Sequence, residues 1–169
     1  MPENRIAISH AQRGEEAAAA AILQEAADWL VARGQPMWDA EDCSAEALAR
    51  AVEAGELYLA RVDGEAVGAM LLQWEDPQFW PDVPAGQSAF IHRLAVNRSV
   101  AGKGVSRALL AWAERAARRA GRRYLRLDCD PARPRLCAFC ESAGFARHSV
   151  TEVDGYPVAR YQKALVGDG

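Results

Sequence analysis

Apolar positions recur along this chain with two periods, and the change between them divides the chain into helices and strands. In residues 11–33 they fall every three or four positions, as on a helix that buries one face. Segments that alternate every second position between turn-forming residues predict strands. The helices predicted in this way cover residues 11–33, 45–53, 104–120 and 133–142, and the strands cover 5–8, 57–62, 66–74, 88–96, 123–129, 145–153 and 156–163. The order β-α-α-β-β-β-α-β-α-β-β indicates a mixed α/β chain with helices on the faces of a sheet.

Turn-forming residues set the limits of these elements. Ser44 is a favourable N-cap for the helix over 45–53. Asp-Gly pairs at 63–64 and 154–155 are typical of tight hairpin turns. Prolines and a glycine in residues 75–87 predict a loop.

A short basic glycine loop joins a strand to a helix near the middle of the chain. Leu94 and Val96 end the strand, Gly102 and Gly104 interrupt the pattern, and helical spacing resumes at Val105. The first turn of a helix has free N–H groups and about half a positive charge from the macrodipole, so it attracts anions such as phosphate. The basic side chains of this stretch are Arg98, Lys103 and Arg107.

Two well-known phosphate motifs do not fit this loop. A P-loop requires Gly-x-x-x-x-Gly-Lys-Ser/Thr, which is absent from the chain. A dinucleotide fingerprint requires a third glycine, and Arg107 occupies its place. The loop by itself therefore predicts either an anion site at the start of a helix or a glycine turn that caps the helix.

The residues around this loop resemble the GNAT superfamily of N-acetyltransferases. That family carries Leu-x-Val on its fourth strand, followed by Arg/Gln-x-x-Gly-x-Gly/Ala at the start of a long helix. Leu94-Ala95-Val96 matches the first pattern, and residues 101–106, Ala-Gly-Lys-Gly-Val-Ser, match the second with two departures. Ala101 replaces Arg or Gln, and Ser106 replaces the last Gly.

A second motif of the same family follows about 30 residues later. The family pattern is Asn-Pro-Arg-Ala-x-x-Leu-Tyr-Glu-x-x-Gly-Phe, and residues 133–145 read Arg-Pro-Arg-Leu-Cys-Ala-Phe-Cys-Glu-Ser-Ala-Gly-Phe. The spacing is intact, with Arg133 in place of Asn and Cys140 in place of Tyr. Two motifs in the family's order are more specific than either motif alone.

The resemblance implies a fold, a cofactor and a class of partner. The fold would be a central mixed, mostly antiparallel sheet of about seven strands flanked by about four helices. The reaction would be attack of a small-molecule, amino-acid or peptide amine on acetyl-CoA in a ternary complex. Because the family Tyr is missing and the loop is altered, a non-catalytic acyl-CoA-binding member is the alternative. The cofactor-binding residues implied are Leu94, Ala95, Val96, Ala101, Gly102, Lys103, Gly104, Val105, Ser106, Arg107, Arg133 and Leu136.

Two residues are candidates for removing a proton from the amine. A primary amine has a pKa of about 10.4, so reaching its neutral form at pH 7 costs about 4–5 kcal/mol, and a base is useful. His92 lies two residues before Leu94 and would share its side of the strand; some members of the family carry a base His at this place. A histidine satisfied beside a core strand is the alternative. Asp128 is the second candidate, unless it caps the loop or pairs with Arg126 or Arg133.

Cys140 occupies the position at which the family Tyr commonly protonates the departing thiolate. A thiol is acidic enough for that role, but it is shorter and a weak donor, so a small apolar filler is the alternative. Cys137 and Cys140 also form a C-x-x-C, which is typical of redox or zinc sites. A zinc site would need further ligands, for which Cys129 and His148 are the candidates. We expect no metal.

Tryptophans are numerous, and we divide the five into two groups. Trp29 and Trp112 lie on apolar helix stripes and are expected in the core. Trp38, Trp74 and Trp80 lie near loops or strand ends, where they form either an acceptor pocket or ordinary loop packing. Acidic residues close to them in sequence could attract an ammonium group: Asp39, Glu41 and Glu75.

Composition narrows the class of protein further. The 169 residues suit one domain over 1–169, and 50% hydrophobic residues indicate a globular chain. The net charge of −3 gives no reason to expect nucleic acid or membrane as a partner. The arginines at 115–123 are read as a solvated helix face. Four cysteines without a leader sequence favour the cytoplasm, and a homodimer is left open.

Overall fold

The computed structural model describes residues 5–165, and it has the predicted order of elements. The strands are β1 (Ile6–His10), β2 (Leu57–Val62), β3 (Glu65–Gln73), β4 (Ser88–Val96), β5 (Tyr124–Cys129), β6 (Ala146–Val153) and β7 (Tyr156–Ala164). The helices are α1 (Glu16–Ala32), α2 (Ala45–Glu53), α3 (Val105–Arg119) and α4 (Pro134–Ser142), with a short 3-10 turn at Arg98–Val100. Among residues 5–165, no helix combines the length and apolar character needed to cross a bilayer.

The strands form one seven-stranded sheet in the order β1-β2-β3-β4-β5-β7-β6. The pairs β1–β2, β2–β3, β5–β7 and β6–β7 are antiparallel, and β4–β5 is parallel. This arrangement confirms the mixed, mostly antiparallel sheet with four helices.

The chain divides into two compact units, and the first contains the glycine loop. It comprises the residues up to Leu71 together with Arg93–Leu109. Its core is formed mainly by buried side chains of α1, α2, β2 and β3: Ile22, Leu23, Leu48, Leu57, Leu59 and Leu71.

Gly68 of β3 explains how α3 begins so close to the sheet in this first unit. A Cβ added at Gly68 would lie 3.0 Å from Val105 Cγ1 and 3.2 Å from Leu109 Cδ1. A larger residue here would force the Val105 and Leu109 side chains to move by a few tenths of an ångström, so glycine lets the first turn of α3 approach without that shift. The position of the glycine loop therefore depends on a small residue in a different element.

The second unit contains β5, α4 and the closing hairpin β6–β7. It comprises Leu72–His92 and the residues from Leu110 on. Its fully buried side chains include Trp80, Leu125 and Tyr161. The parallel pairing of β4 with β5 covers Ser88–Phe90 against Tyr124–Arg126, and this short ladder sets the position of the candidate site.

Two local details differ from the sequence-based expectation. The first helix begins at Glu16 instead of residue 11, because Gly14 adopts φ +96° and the Glu15 carboxylate accepts the Gln12 N–H at 2.8 Å. Trp112 was expected in the core but is only half-buried, and the same holds for Trp29. Its ring lies between the guanidinium groups of Arg33 and Arg98, at 4.2 and 4.3 Å, so cation–π contacts replace part of its burial.

Candidate active site

His92 and Asp128 come together where two parallel strands part. The β4–β5 ladder extends as far as the pair Phe90–Arg126. His92 and Asp128 each follow two residues later on their strands, and His92 Nδ1 lies 3.9 Å from Asp128 Oδ2. The carboxyl ends of parallel strands are a common place for ligand binding because the backbone there is no longer paired.

Asp76 holds the other nitrogen of His92. Asp76 Oδ2 lies 2.7 Å from His92 Nε2, and the Asp76 side chain is 5% exposed. Its second oxygen accepts the Phe79 N–H at 3.0 Å, and its carbonyl accepts the Trp80 N–H at 3.0 Å. The Phe79 ring packs against the imidazole, with 5.6 Å between the ring centroids. The loop between β3 and β4 therefore fixes both the carboxylate and the imidazole plane.

This arrangement selects a tautomer of His92. A carboxylate that accepts from Nε2–H leaves Nδ1 with its lone pair when the imidazole is neutral. That lone pair lies on the side of Asp128, at a distance too long for a direct hydrogen bond. A nitrogen or oxygen atom about 2.8 Å from each group would fit between Nδ1 and Asp128 Oδ2.

Asp128 has an uncompensated oxygen at this point. Its Oδ2 is buried and has no hydrogen-bond partner within residues 5–165. Burial raises the pKa of Asp128 to about 6, with the nearby Asp76 adding to the rise, while His92 and Arg160 oppose it. A buried carboxylate oxygen without a partner is costly. It indicates a place for a bound hydrogen-bond donor.

The pairings considered for Asp128 from the sequence are not the ones found. Arg126 donates to Ser88 Oγ at 2.8 Å and to Gln162 Oε1 at 2.9 Å. Arg133 pairs with Asp130, with 3.5 Å between Nε and Oδ2. Asp128 instead faces His92.

The backbone between His92 and Leu94 departs from regular strand geometry. Arg93, between them, adopts φ +50°, which is the left-handed region. Such a residue bends the strand and interrupts its alternation. The position of His92 follows from its contacts with Asp76 and Asp128 and not from strand alternation.

Asp76 was missed from the sequence. The sequence places it within the loop predicted over 75–87 and gives no sign of a role in the site. Its partner His92 lies sixteen residues further along the chain. No local pattern connects the two residues, so only the fold of the loop brings them together.

Within residues 5–165, these same three side chains are also close enough together to hold a metal ion. The ligand atoms of Asp76, His92 and Asp128 lie within 4.8 Å of one another. A cation there would share Nδ1 and Asp128 Oδ2, since Nε2 is already bonded to Asp76. Asp76 would then orient the histidine from outside the coordination shell.

The glycine loop forms as predicted and presents its backbone. Residues 101–104 are exposed, and Gly102 and Gly104 adopt φ +75° and +87°. Val105 is buried, 2% exposed, and the Ala108 N–H donates to the Gly104 carbonyl at 3.0 Å. The loop can bind an anion through the amides of the first turn of α3. Leu94 is partly exposed at the end of β4, where Ala95 and Val96 are buried.

The second motif lies on α4, with its polar and apolar residues on different sides. Arg133 and Leu136 at the start of α4 are partly exposed. Cys140 is buried, 4% exposed, so it is not at the protein surface. A hydrogen bond with the Cys129 thiol lowers the pKa of Cys140, although burial opposes this effect.

Trp80 is buried, which favours ordinary packing over a place in an acceptor pocket. It is 2% exposed, and its ring has Arg126 at 4.9 Å and Arg160 at 4.7 Å. His148, considered as a zinc ligand, lies 5.3 Å from the same ring and is bonded to Ser149 Oγ. Trp80 therefore belongs to the interior of the second unit, where stacking on charged groups offsets their desolvation.

The other two tryptophans stay partly accessible. Arg122 lies 5.3 Å from the Trp74 ring. Trp38 packs against the core of the first unit. Their role towards an acceptor remains a prediction.

Comparison with known proteins identifies a matching family and a similar bacterial protein. Residues 23–145 match the model of the acetyltransferase (GNAT) family. The chain is 28% identical over 131 residues to YesJ of Bacillus subtilis, an uncharacterised N-acetyltransferase, covering 73% of this chain and 72% of that protein.

Solved structures share the fold. A GNAT-family acetyltransferase of Listeria monocytogenes superposes with a TM-score of 0.80 at 22% identity, covering 95% of each chain. The PaiA N-acetyltransferase of Thermoplasma acidophilum, solved with coenzyme A, gives a TM-score of 0.73 at 18% identity, over 95% of this chain and 99% of that one.

Proposed function

This chain belongs to the GNAT family of acetyltransferases, and on that premise we propose that it is an acetyl-CoA-dependent N-acetyltransferase acting on a primary amine. The observation that carries the proposal is the Asp76–His92–Asp128 arrangement. It places a base nitrogen and an unpartnered carboxylate oxygen 3.9 Å apart. An ammonium group has the donors and the charge that this gap lacks.

The cofactor would be held by the glycine loop and the strand before it. The backbone amides of residues 102 and 104–106 would receive the pyrophosphate, because the Lys103 N–H already donates to the Val100 carbonyl, and the Lys103 side chain would add a screened charge. The end of β4 at Leu94–Val96 and the start of α4 at Arg133 and Leu136 are its further candidates. The exposed loop and its two positive-φ glycines fit such a role, because backbone and not side chain lies at the surface. Bound acetyl-CoA supplies the acetyl group as a thioester that a neutral amine attacks.

The site residues would prepare the amine. Asp128 accepts one N–H of the incoming ammonium and replaces its lost hydration. His92 Nδ1 removes one proton from another N–H of the ammonium and leaves the amine nitrogen neutral, while the hydrogen bond to Asp128 stays in place. Asp76 stabilises the imidazolium that forms, through the short bond to Nε2. The three residues thereby lower the cost of about 4–5 kcal/mol for deprotonating an alkylamine at pH 7.

A groove beside Phe79 is the candidate place for the rest of the acceptor. Its volume is about 260 Å³, and its walls combine apolar groups with two carboxylates, of which Asp82 pairs with the Arg160 guanidinium that also lines the groove. Phe79 lines this groove and also contacts the imidazole of His92. This combination favours small or peptide amines with an apolar body and disfavours anionic acceptors. The lining residues are Gln78, Phe79, Pro81, Asp82, Thr151, Glu152, Val153 and Arg160.

Turnover with a panel of amines tests the function. The purified protein is incubated with acetyl-CoA and alkylamines, arylalkylamines, amino acids and short peptides, and free thiol release is followed. We expect turnover with at least one amine of the panel. The compound in which a carboxylic acid replaces that amine should give no turnover. Calorimetric titration is done in parallel, and no acetyl-CoA binding at millimolar cofactor would refute the proposal.

A non-catalytic acyl-CoA-binding protein is the second candidate. Cys140, in place of the family Tyr, is the observation that favours it. Binding of acetyl-CoA without turnover across the amine panel would support this function over the enzyme.

A further inference from the structure

Three of the four cysteines lie together at the junction of β5 and α4. Cys129 is the last residue of β5, and Cys137 and Cys140 lie one turn apart on α4. The sulfur atoms of Cys129 and Cys137 are 3.7 Å apart. Cys129 also shares a hydrogen bond with Cys140. The fourth cysteine, Cys43, is buried in the first unit.

The three thiols differ in access and in their neighbours. Cys137 and Cys140 are 7% and 4% exposed, whereas Cys129 is partly exposed. Arg147 Nη2 lies 3.6 Å from Cys137 Sγ, so a positive charge faces this sulfur. The sulfur that a small reagent meets first is therefore Cys129, and the sulfur beside the positive charge is Cys137.

We propose that Cys129 and Cys137 form a reversible disulfide with small-molecule disulfides as the oxidant. The C-x-x-C spacing by itself suggests a bond between Cys137 and Cys140, but that bond would join two points of one helix. A bond from Cys129 joins the end of β5 to α4. The sulfur separation has to shorten by about 1.7 Å to reach a bond length of about 2.05 Å.

The exchange balances in two steps. The Cys129 thiolate attacks one sulfur of a small disulfide, and the other half leaves as a thiolate that takes up a proton. The Cys137 thiolate then attacks the Cys129 sulfur of the mixed disulfide, and the second small thiol leaves. In total, two protein thiols are oxidised and one small disulfide is reduced to two thiols.

The cysteine cluster is linked to the proposed active site by residues that are adjacent in sequence. Asp128 directly precedes Cys129, and the pairs Asp128–Arg160 and Cys129–Ala159 hold this end of β5 on β7. The adjustment therefore falls on α4. We expect the oxidised form to acetylate more slowly; this expectation rests on the proposed function, whereas the disulfide does not.

The test is a count of free thiols in glutathione buffers of increasing oxidising strength, followed by peptide mapping. We expect loss of two of the four thiols, a peptide link between Cys129 and Cys137, and full recovery with a strong dithiol reductant. Cys129→Ser and Cys137→Ser should each abolish the link. Cys140→Ser should retain it, and Cys43→Ala should behave as the native chain.

Several results would overturn the proposal. They are four free thiols at the most oxidising buffer, a link from Cys140 to either other thiol, and a stable mixed disulfide at Cys129 without a protein link. Circular dichroism of each variant shows whether it folds, so a misfolded variant is not counted. Counting free thiols requires no acetyl transfer. A protein without acetyltransferase activity would therefore refute the proposed function but would not affect the disulfide result.

Discussion

The glycine loop and the histidine site are built in opposite ways. The loop is continuous in sequence, exposed and built from backbone, with Gly102 and Gly104 at positive φ. The histidine site is assembled from a loop and two strands, and it depends on three buried or half-buried side chains: Asp76, His92 and Asp128. Side-chain replacement should therefore have large effects in the histidine site and small effects in the loop, except where the backbone itself is changed.

Removal of the imidazole should give the largest effect. His92→Ala is expected to lower kcat/KM by about 10²–10⁴ at pH 7, because a positioned base contributes that much. Acetyl-CoA affinity should stay nearly unchanged. The defect should shrink at high pH, where free amine accumulates. The measurement is a pH profile of kcat/KM.

The matched control for this variant is His148→Ala, an exposed histidine of the same unit. It should keep the native profile. A His92→Ala profile parallel to that of the native protein would remove His92 from the mechanism.

Asp128 should make stability depend on pH. Its pKa is about 6 in the folded chain and about 3.9 when unfolded, so the folded state binds the proton more tightly. The stability from this group is therefore present below about pH 4 and lost as pH rises to about 6, a loss of about 2–3 kcal/mol. Asp128→Asn cannot ionise and should gain that amount relative to the native chain over this range.

Urea unfolding of both proteins between pH 4 and 7 measures this difference. A difference in the free energy of unfolding that stays constant with pH would contradict the assignment. The same variant should also bind the ammonium less well, which raises KM more than it lowers kcat.

Asp76 should act through the tautomer of His92. In Asp76→Asn the amide can donate to Nε2, which moves the imidazole proton to Nδ1 and removes the base from the side of Asp128. We expect a loss of about 10²-fold in kcat/KM, the lower end of what a positioned base contributes, with folding retained. Nitrogen NMR of labelled histidine should show the change of protonated nitrogen directly.

Asp63→Asn, in an exposed hairpin turn, is the control for loss of one carboxylate. If the His92 tautomer is the same in Asp76→Asn and the native chain, Asp76 does not position the imidazole. That reading is independent of any activity assay.

In the loop, the backbone should matter more than the charge. Gly104 adopts φ +87° in open space, so Gly104→Val meets no neighbour but is strained by about 1–2 kcal/mol. It would also intrude where the backbone approaches phosphate. We expect about a tenfold loss of acetyl-CoA affinity by calorimetry and a smaller loss for Lys103→Ala, whose charge is screened.

Gly121→Val separates strain from binding. Gly121 also has open space and φ +73°, but it lies at the end of α3. The Gly121→Val variant should be less stable than the native chain but should keep its affinity for acetyl-CoA. A larger effect for Lys103→Ala than for Gly104→Val would show that the side chain, not the amide cradle, holds the anion.

The two regions also differ in how far they can be predicted from sequence. The loop, α2, β2 and β4 form where local spacing and turn residues place them. The partner of His92 could not be predicted, because Asp76 reaches it only after the loop over 75–87 folds back. The burial of Trp80 and the approach of Cys129 to Cys137 likewise depend on contacts between distant segments.

Cys140 should give the smallest effect and sharpen the contrast within the histidine-bearing unit. Its side chain is buried and hydrogen-bonded to the Cys129 thiol, as expected of a small residue that only fills space in the interior. Cys140→Ser should therefore change kcat by less than about threefold, although a hydroxyl is a much poorer acid than a thiol. A large loss in kcat that shrinks as pH rises through the pKa of the thiol would instead assign the thiol proton to the reaction. Cys140→Tyr restores the family residue, and higher activity of this variant would show that the geometry for a tyrosine acid is still in place.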